Sequence, residues 1–148
     1  MRPILVTGFE PFGGMSTNPS LLAAQALDGK SVSGRKIVGR SLPVSMRRIR
    51  RALRELLDAF NPAVVISLGL AAGEATLRLE RIGVNLADFD IDDNDGLRLA
   101  NARVSDGGPD ARLSTLPLAR IAEAMLAAGI PATLSPSAGT YLCNAGLY

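Results

Sequence analysis

The apolar positions of this chain alternate between two periods. Ile4-Leu5-Val6-Thr7-Gly8-Phe9 is a short continuous apolar run, the pattern of a buried strand. The loop Glu10-Pro11-Phe12-Gly13-Gly14 follows. Asn18-Pro19 then marks a helix start, with Asn as N-cap and Pro at the first helical position. Leu21, Leu22 and the run from Ala24 to Leu27 give that helix an apolar side, and residues 36–44 read as a second strand. From Met46 to Phe60 the period turns helical. Ile49, Leu53, Leu56 and Phe60 make one face and Arg47, Arg50, Arg51 and Arg54 the other, and Asn61-Pro62 ends the segment.

Residues 63–68 form the clearest buried strand, with the flexible turn Gly69-Leu70-Ala71-Ala72-Gly73 at its carboxyl end. Residues 76–88 alternate well enough to be strand-like. Residues 90–112 are polar and Gly-rich, a long loop of the kind that is usually functional or mobile. An amphipathic helix follows over 116–128, with Leu118, Ile121, Met125 and Ala128 on one side. A last strand over 130–135 leads into a turn that carries Cys143. Strands alternating with helices predict an α/β fold, with a mostly parallel sheet covered on both faces. In such sheets, sites form beyond the carboxyl ends of strands. The loops 8–14, 69–75 and 136–143 all follow strands and are expected to converge.

Composition narrows this picture. A chain of 148 residues fits one domain. Aromatic residues are only 4% and Trp is absent, so the core must be aliphatic and each of the four Phe needs a reason for its place. One cysteine excludes an intrachain disulfide and, with no signal-like start, points to a reducing cytoplasm. With no His and a single Cys, a zinc site would need carboxylates alone. The net charge of +2 is mild. The arginine-bearing helix suits an anionic partner or a solvated face. No aromatic interleaves its arginines, which disfavours nucleic acid. No residue from Ala124 to Tyr148 is charged, but Gly129, Pro131, Pro136 and Gly139 break that run, so it does not read as a membrane span.

Three places carry chemistry. Cys143 sits in Gly139-Thr140-Tyr141-Leu142-Cys143-Asn144, at or just before a helix start. Backbone N–H dipoles there favour a thiolate, although a free cysteine is as readily an inert buried one. Glu80 lies inside the apolar alternating stretch Leu77-Arg78-Leu79-Glu80-Arg81-Ile82. It can orient an imidazole as the acid of a Cys–His–acid set, or pair with Arg78 or Arg81 at a strand edge. Phe9 and Phe12 flank a Glu-Pro turn and suit either a flat apolar slot or core packing. Gly13-Gly14 is not followed by Gly-Lys-Ser/Thr, so it is no phosphate loop.

The run Val6-Thr7-Gly8-Phe9-Glu10-Pro11-Phe12-Gly13-Gly14 with Asn18-Pro19-Ser20 resembles the opening of the pyroglutamyl peptidase I family of cysteine peptidases. Glu80-Arg81-Ile82 with Asn85 and Asp93-Asn94-Asp95-Gly96 is similar to that family's second motif. Ser114-Thr115-Leu116-Pro117, Ala128-Gly129-Ile130-Pro131 and the 137–144 stretch are similar to the third. The resemblance implies removal of an N-terminal pyroglutamyl residue from peptides, with Cys143 as nucleophile and Glu80 as the acid that orients a catalytic His. It implies that Phe9, Phe12, Tyr141 and Leu142 hold the pyrrolidone ring. It also implies a single-domain three-layer α/β/α sandwich over residues 1–148, with no metal or cofactor, in a cytoplasmic homo-oligomer, dimer or tetramer. A neutral lactam has no free amine to be read, so an apolar slot with a few backbone hydrogen bonds suits it.

Three departures stand out. The family's His is absent, as are its C-terminal strand and helix, so the sequence is expected to be a C-terminally truncated member, weakly active or inactive alone. Asp90 and Asp92 stand where the family usually has Arg and Pro, and Glu74 where an Arg is frequent. The alternative expectation is a non-catalytic binder of pyroglutamyl peptides, and a third is an anion-binding α/β domain that uses the arginine helix.

Overall fold

The computed structural model describes residues 1–148. Its elements fall into two units, Met1–Leu70 with Asp90–Arg98, and Ala71–Phe89 with Leu99–Tyr148. The chain is mixed α/β, and its strands pair mostly in parallel.

In the first unit the elements run β1 (Ile4–Phe9), α1 (Pro19–Leu27), β2 (Ser31–Val32), β3 (Arg35–Leu42), α2 (Ile49–Phe60) and β4 (Val64–Ser67). The sheet order is β2-β3-β1-β4, with β1 parallel to both β3 and β4. β1 is therefore central, and its continuous apolar run is buried from Leu5 to Phe9. Asn18 caps α1 as the sequence predicts, its Oδ1 accepting from Ser20 N at 3.0 Å. The Ser20 hydroxyl accepts from Phe9 N at 3.0 Å, which ties the helix start to the end of β1. α1 lies against the strands through two glycines. A Cβ on Gly8 would collide with the backbone carbonyl of Ser20, and one on Gly39 with that of Ala24. Val6, Ala24 and Ile37 form the core at this contact, with Ile4, Leu27 and Leu68 around them.

Three expectations shift here. The hairpin strand β2 was not foreseen, because two residues carry no readable period. α2 begins at Ile49 rather than at Met46, because Ser45 turns the chain first: its carbonyl accepts from Arg48 N and Ile49 N. Within residues 63–68 a strand does form, Val64–Ser67, but Ile66 and Ser67 are exposed. β4 is the edge of this four-stranded sheet and pairs only with β1, so an apolar run alone overstated its burial.

The stretch 90–98 is no loose loop. Asp93 is buried, and its carboxylate accepts from Met46 N, Asp95 N and Leu97 N, each at 2.9 Å. Asn94 donates through its side chain to Pro11 O at 2.9 Å and Glu10 Oε1 at 3.0 Å, and its N–H reaches Val44 O. Arg48 pairs with Asp95 at 2.9 Å, and the Ser45 hydroxyl donates to the same carboxylate. Hydrogen bonds from Arg48 and then Ser45 hold the Asp95 carboxyl below its ordinary range.

In the second unit the elements are β5 (Leu77–Glu80), β6 (Ile82–Val84), β7 (Ala111–Leu113), α3 (Leu118–Ala127), β8 (Ala132–Ser135) and α4 (Leu142–Leu147). β5 and β8 pair in parallel, with Glu80 opposite Ser135, and β6 and β7 pair antiparallel. The 76–88 segment is thus two strands that break at Arg81. β7 lies in what the sequence predicts as loop, and its three residues are all exposed. No residue of α3 is fully buried; Leu118, Ile121 and Met125 are half-buried, and Leu126 is 56% exposed.

Candidate active site

Cys143 occupies the second position of α4, whose N-cap Tyr141 has an extended backbone. The turn before it is built by short polar side chains. Gly139 takes a left-handed φ of 77°, which a residue without a Cβ adopts readily, and its N–H donates to Ser137 Oγ at 3.1 Å. Thr140 Oγ1 donates to Asp88 O at 2.7 Å, and Asp88 N donates back to Thr140 O at 3.2 Å. Ala138 N reaches Ile82 O at 3.3 Å. The thiol is half-buried and in no disulfide.

The residue after the thiol does most of the anchoring. Asn144 is fully buried, and its amide acts as a short strand beside β6. Oδ1 accepts from Val84 N at 2.8 Å, and Nδ2 donates to Val84 O at 2.9 Å and Leu86 O at 3.0 Å. Leu142 is buried beneath the helix start, and Tyr141 meets the Phe89 ring edge-on at 4.8 Å. At the other end of α4, Tyr148 donates to Pro109 O at 2.8 Å, and the Arg112 guanidinium stacks on its ring. The position of Cys143 is therefore fixed by both ends of a six-residue helix that would not persist alone.

Glu80 ends β5. Its Oε1 stands 3.2 Å from Arg78 Nε, so the strand-edge ion pair weighed from the sequence exists. Its Oε2 is buried and has no hydrogen-bond partner. One oxygen is thus held while the other is desolvated and still able to accept. Arg78 also reaches Glu74 at 3.7 Å, Ser135 Oγ at 3.0 Å and Ser137 O at 3.3 Å. The unusual Glu74 therefore has a partner.

Phe9 and Phe12 lie in the first unit, while Glu80, Tyr141, Leu142 and Cys143 lie in the second. Phe9 is only 4% exposed at the end of β1, and Phe12 is half-buried in the loop that follows. Asp90 is exposed and Asp92 pairs with Arg98 at 2.7 Å. Sequence reasoning missed the anchors Asn144, Asp88 and Thr140. The only signal for them is a buried-type polar residue beside the thiol and a Thr in the turn.

Elsewhere in the first unit, an open cavity of about 440 Å³ is lined by Glu10, Ser41, Pro43, Arg48, Arg51, Ala52 and Glu55. Its arginines are already paired, Arg48 with Asp95 and Glu10, and Arg51 with Glu55 at 2.7 Å. This weakens the anion-site reading of the arginine helix. No group of three or more His, Cys, Asp or Glu stands in a metal-holding arrangement. No helix is long and apolar enough to cross a membrane.

The pattern of the pyroglutamyl peptidase family matches residues 2–148. A pyrrolidone-carboxylate peptidase of Coprothermobacter proteolyticus is 42% identical over 100% of this chain, which spans 72% of that protein. One of Thermococcus litoralis is 44% identical over 97% of the chain, which spans 66% of it. The solved pyrrolidone carboxyl peptidase from Thermococcus litoralis superposes with a TM-score of 0.95 at 43% identity, covering 99% of this chain and 66% of its own. That of Pyrococcus furiosus superposes at 0.96 and 41% identity, covering 99% and 70%. Sequence pattern and fold agree along essentially the whole chain, and it belongs to the pyroglutamyl peptidase family.

Proposed function

We propose that this chain carries the thiol nucleophile of a cysteine peptidase that removes an N-terminal pyroglutamyl residue from peptides. The observation that carries the reading is Cys143 near the opening of α4, in a turn stitched on both sides and anchored by Asn144. The Cys143 sulfur attacks the exocyclic carbonyl of the pyroglutamyl group. The C–N amide bond breaks, the amine leaves with a proton, and a thioester remains that water hydrolyses. Backbone N–H groups near Cys143 stabilise the oxyanion. Glu80 is the acid that orients an imidazole through its Oε2. Phe9, Phe12, Tyr141 and Leu142 hold the neutral ring.

These 148 residues contain no histidine, so none of their side chains is an imidazole able to protonate the leaving amine. We therefore expect the chain alone to turn over amide substrates slowly. Its partners are N-terminally pyroglutamylated peptides, in a cytoplasmic homo-oligomer that uses no metal, cofactor, nucleic acid or membrane. A non-catalytic pyroglutamyl-peptide binder is the second reading.

Purified chain is incubated with a pyroglutamyl fluorogenic amide, and pyroglutamate binding is followed by calorimetry. Slow release that Cys143→Ser abolishes supports the peptidase. Binding without any release supports the binder. Absence of both would refute the assignment of substrate.

A further inference from the structure

An acid that orients an imidazole has to present one oxygen in one place. Glu80 is the last residue of a four-residue strand, and its side chain is 27% exposed although Oε2 is buried. The fixing contact comes from Arg78. Residues 78 and 80 project from the same face of β5, two positions apart. Arg78 Nε stands at 3.2 Å on Oε1 and leaves the buried Oε2 unpaired. The same guanidinium spans to the other strand of the pair. Its Nη2 donates to Ser135 Oγ at 3.0 Å and to Ser137 O at 3.3 Å, where the chain turns toward Cys143. Ser135 Oγ itself donates to Ser137 O at 3.0 Å, so the turn and the guanidinium form one network.

We propose that Arg78 is the positioning residue of Glu80: it occupies Oε1 so that Oε2 is the oxygen presented, and it ties that carboxylate to the Ser135–Ser137 turn before Cys143. The proposal rests on the reading of Glu80 as the acid of the site. An isolated exposed ion pair would contribute little. A planar fork serving a carboxylate, a hydroxyl and a carbonyl at once is different, because geometry rather than charge is what it supplies. Lysine carries the charge but has no fork. Glu74, at 3.7 Å from Nη1, is the longest contact of the network.

The test supplies the imidazole from solution. Hydrolysis of a pyroglutamyl fluorogenic amide by the full 148-residue chain is measured against imidazole concentration, for the unaltered chain, Glu80→Gln, Arg78→Gln, Arg78→Lys and Glu74→Gln. The unaltered chain is expected to show saturable stimulation. Arg78→Gln raises the half-saturating imidazole about tenfold or more, as loss of a partner that orients a ligating group does, while KM for the amide and the melting temperature stay put. Arg78→Lys restores little, and Glu74→Gln behaves as the unaltered chain. Half-saturation unchanged in Arg78→Gln, alongside a clear loss in Glu80→Gln, overturns the role of Arg78 and leaves that of Glu80 intact. No stimulation in the unaltered chain overturns both, and pyroglutamate binding by calorimetry then shows whether the substrate assignment stands apart from them.

Discussion

Asn144 shows why the position of the thiol is robust although its helix is short. Its three hydrogen bonds occupy Val84 N and Val84 O at the end of β6 and Leu86 O just beyond it. Asn144→Ala removes those bonds and leaves a small void, and we expect a loss of roughly 2–4 kcal/mol. Urea denaturation of the two chains measures it, and equal midpoints would contradict the anchoring account. Cys143, Glu80, Phe9 and Phe12 stand out in the sequence by residue type and neighbours; the structure puts Phe9 and Glu80 at the ends of β1 and β5, Phe12 in the loop after β1 and Cys143 in α4. Asn144 and Arg78 were not legible as anchors, because an amide and a guanidinium reveal their partners only once strands are paired. The sequence left Glu80 between an ion pair and an orienting acid; the ion pair with Arg78 is present through Oε1, while Oε2 is buried without a hydrogen-bond partner.

Among the elements, β1, α1 and α2 could be read from apolar period and caps, while β2 and β7 are too short to show a period. The exposure of Ile66 depends on which strands flank β4, and that is set by sheet order. The contact of α1 with β1 and β3 depends on Gly8. Gly8→Ala pushes a methyl group into the Ser20 carbonyl, and we expect a cost of roughly 1–3 kcal/mol, read as a lower thermal midpoint. A variant as stable as the parent would show that α1 can lift without penalty.

The 90–98 stretch owes its order to carboxylates that composition alone reads as solvated. Asp95 is held below its ordinary range chiefly by Arg48 and then Ser45. Its contribution is therefore complete above the unfolded carboxylate value of about 3.9 and is lost as pH falls through the lower folded value. Asp28, lowered mainly by the Gly39 N–H, behaves in the same direction. Stability measured between pH 6 and about pH 2 should fall more steeply in the parent than in Asp95→Asn. Parallel curves would remove Asp95 from the acid response.

For the molecule as a whole, family and fold are settled by agreement over nearly every residue, while the chain spans 66% to 72% of the relatives' lengths. The chemical question reduces to one thiol in a chain without imidazole. An activated ester separates nucleophilicity from proton donation. The p-nitrophenolate of a pyroglutamyl p-nitrophenyl ester leaves as an anion and needs no general acid, so acylation requires only the ring site and Cys143. Incubating the chain with this ester, and locating the acyl group by intact-mass and peptide mass spectrometry, is the most direct test. The expected result is one pyroglutamyl group on Cys143, suppressed by excess pyroglutamate and far slower with the prolyl ester, which lacks the lactam carbonyl. No adduct, an adduct elsewhere, or equal labelling by the prolyl ester would contradict Cys143 as the nucleophile of a pyroglutamyl site.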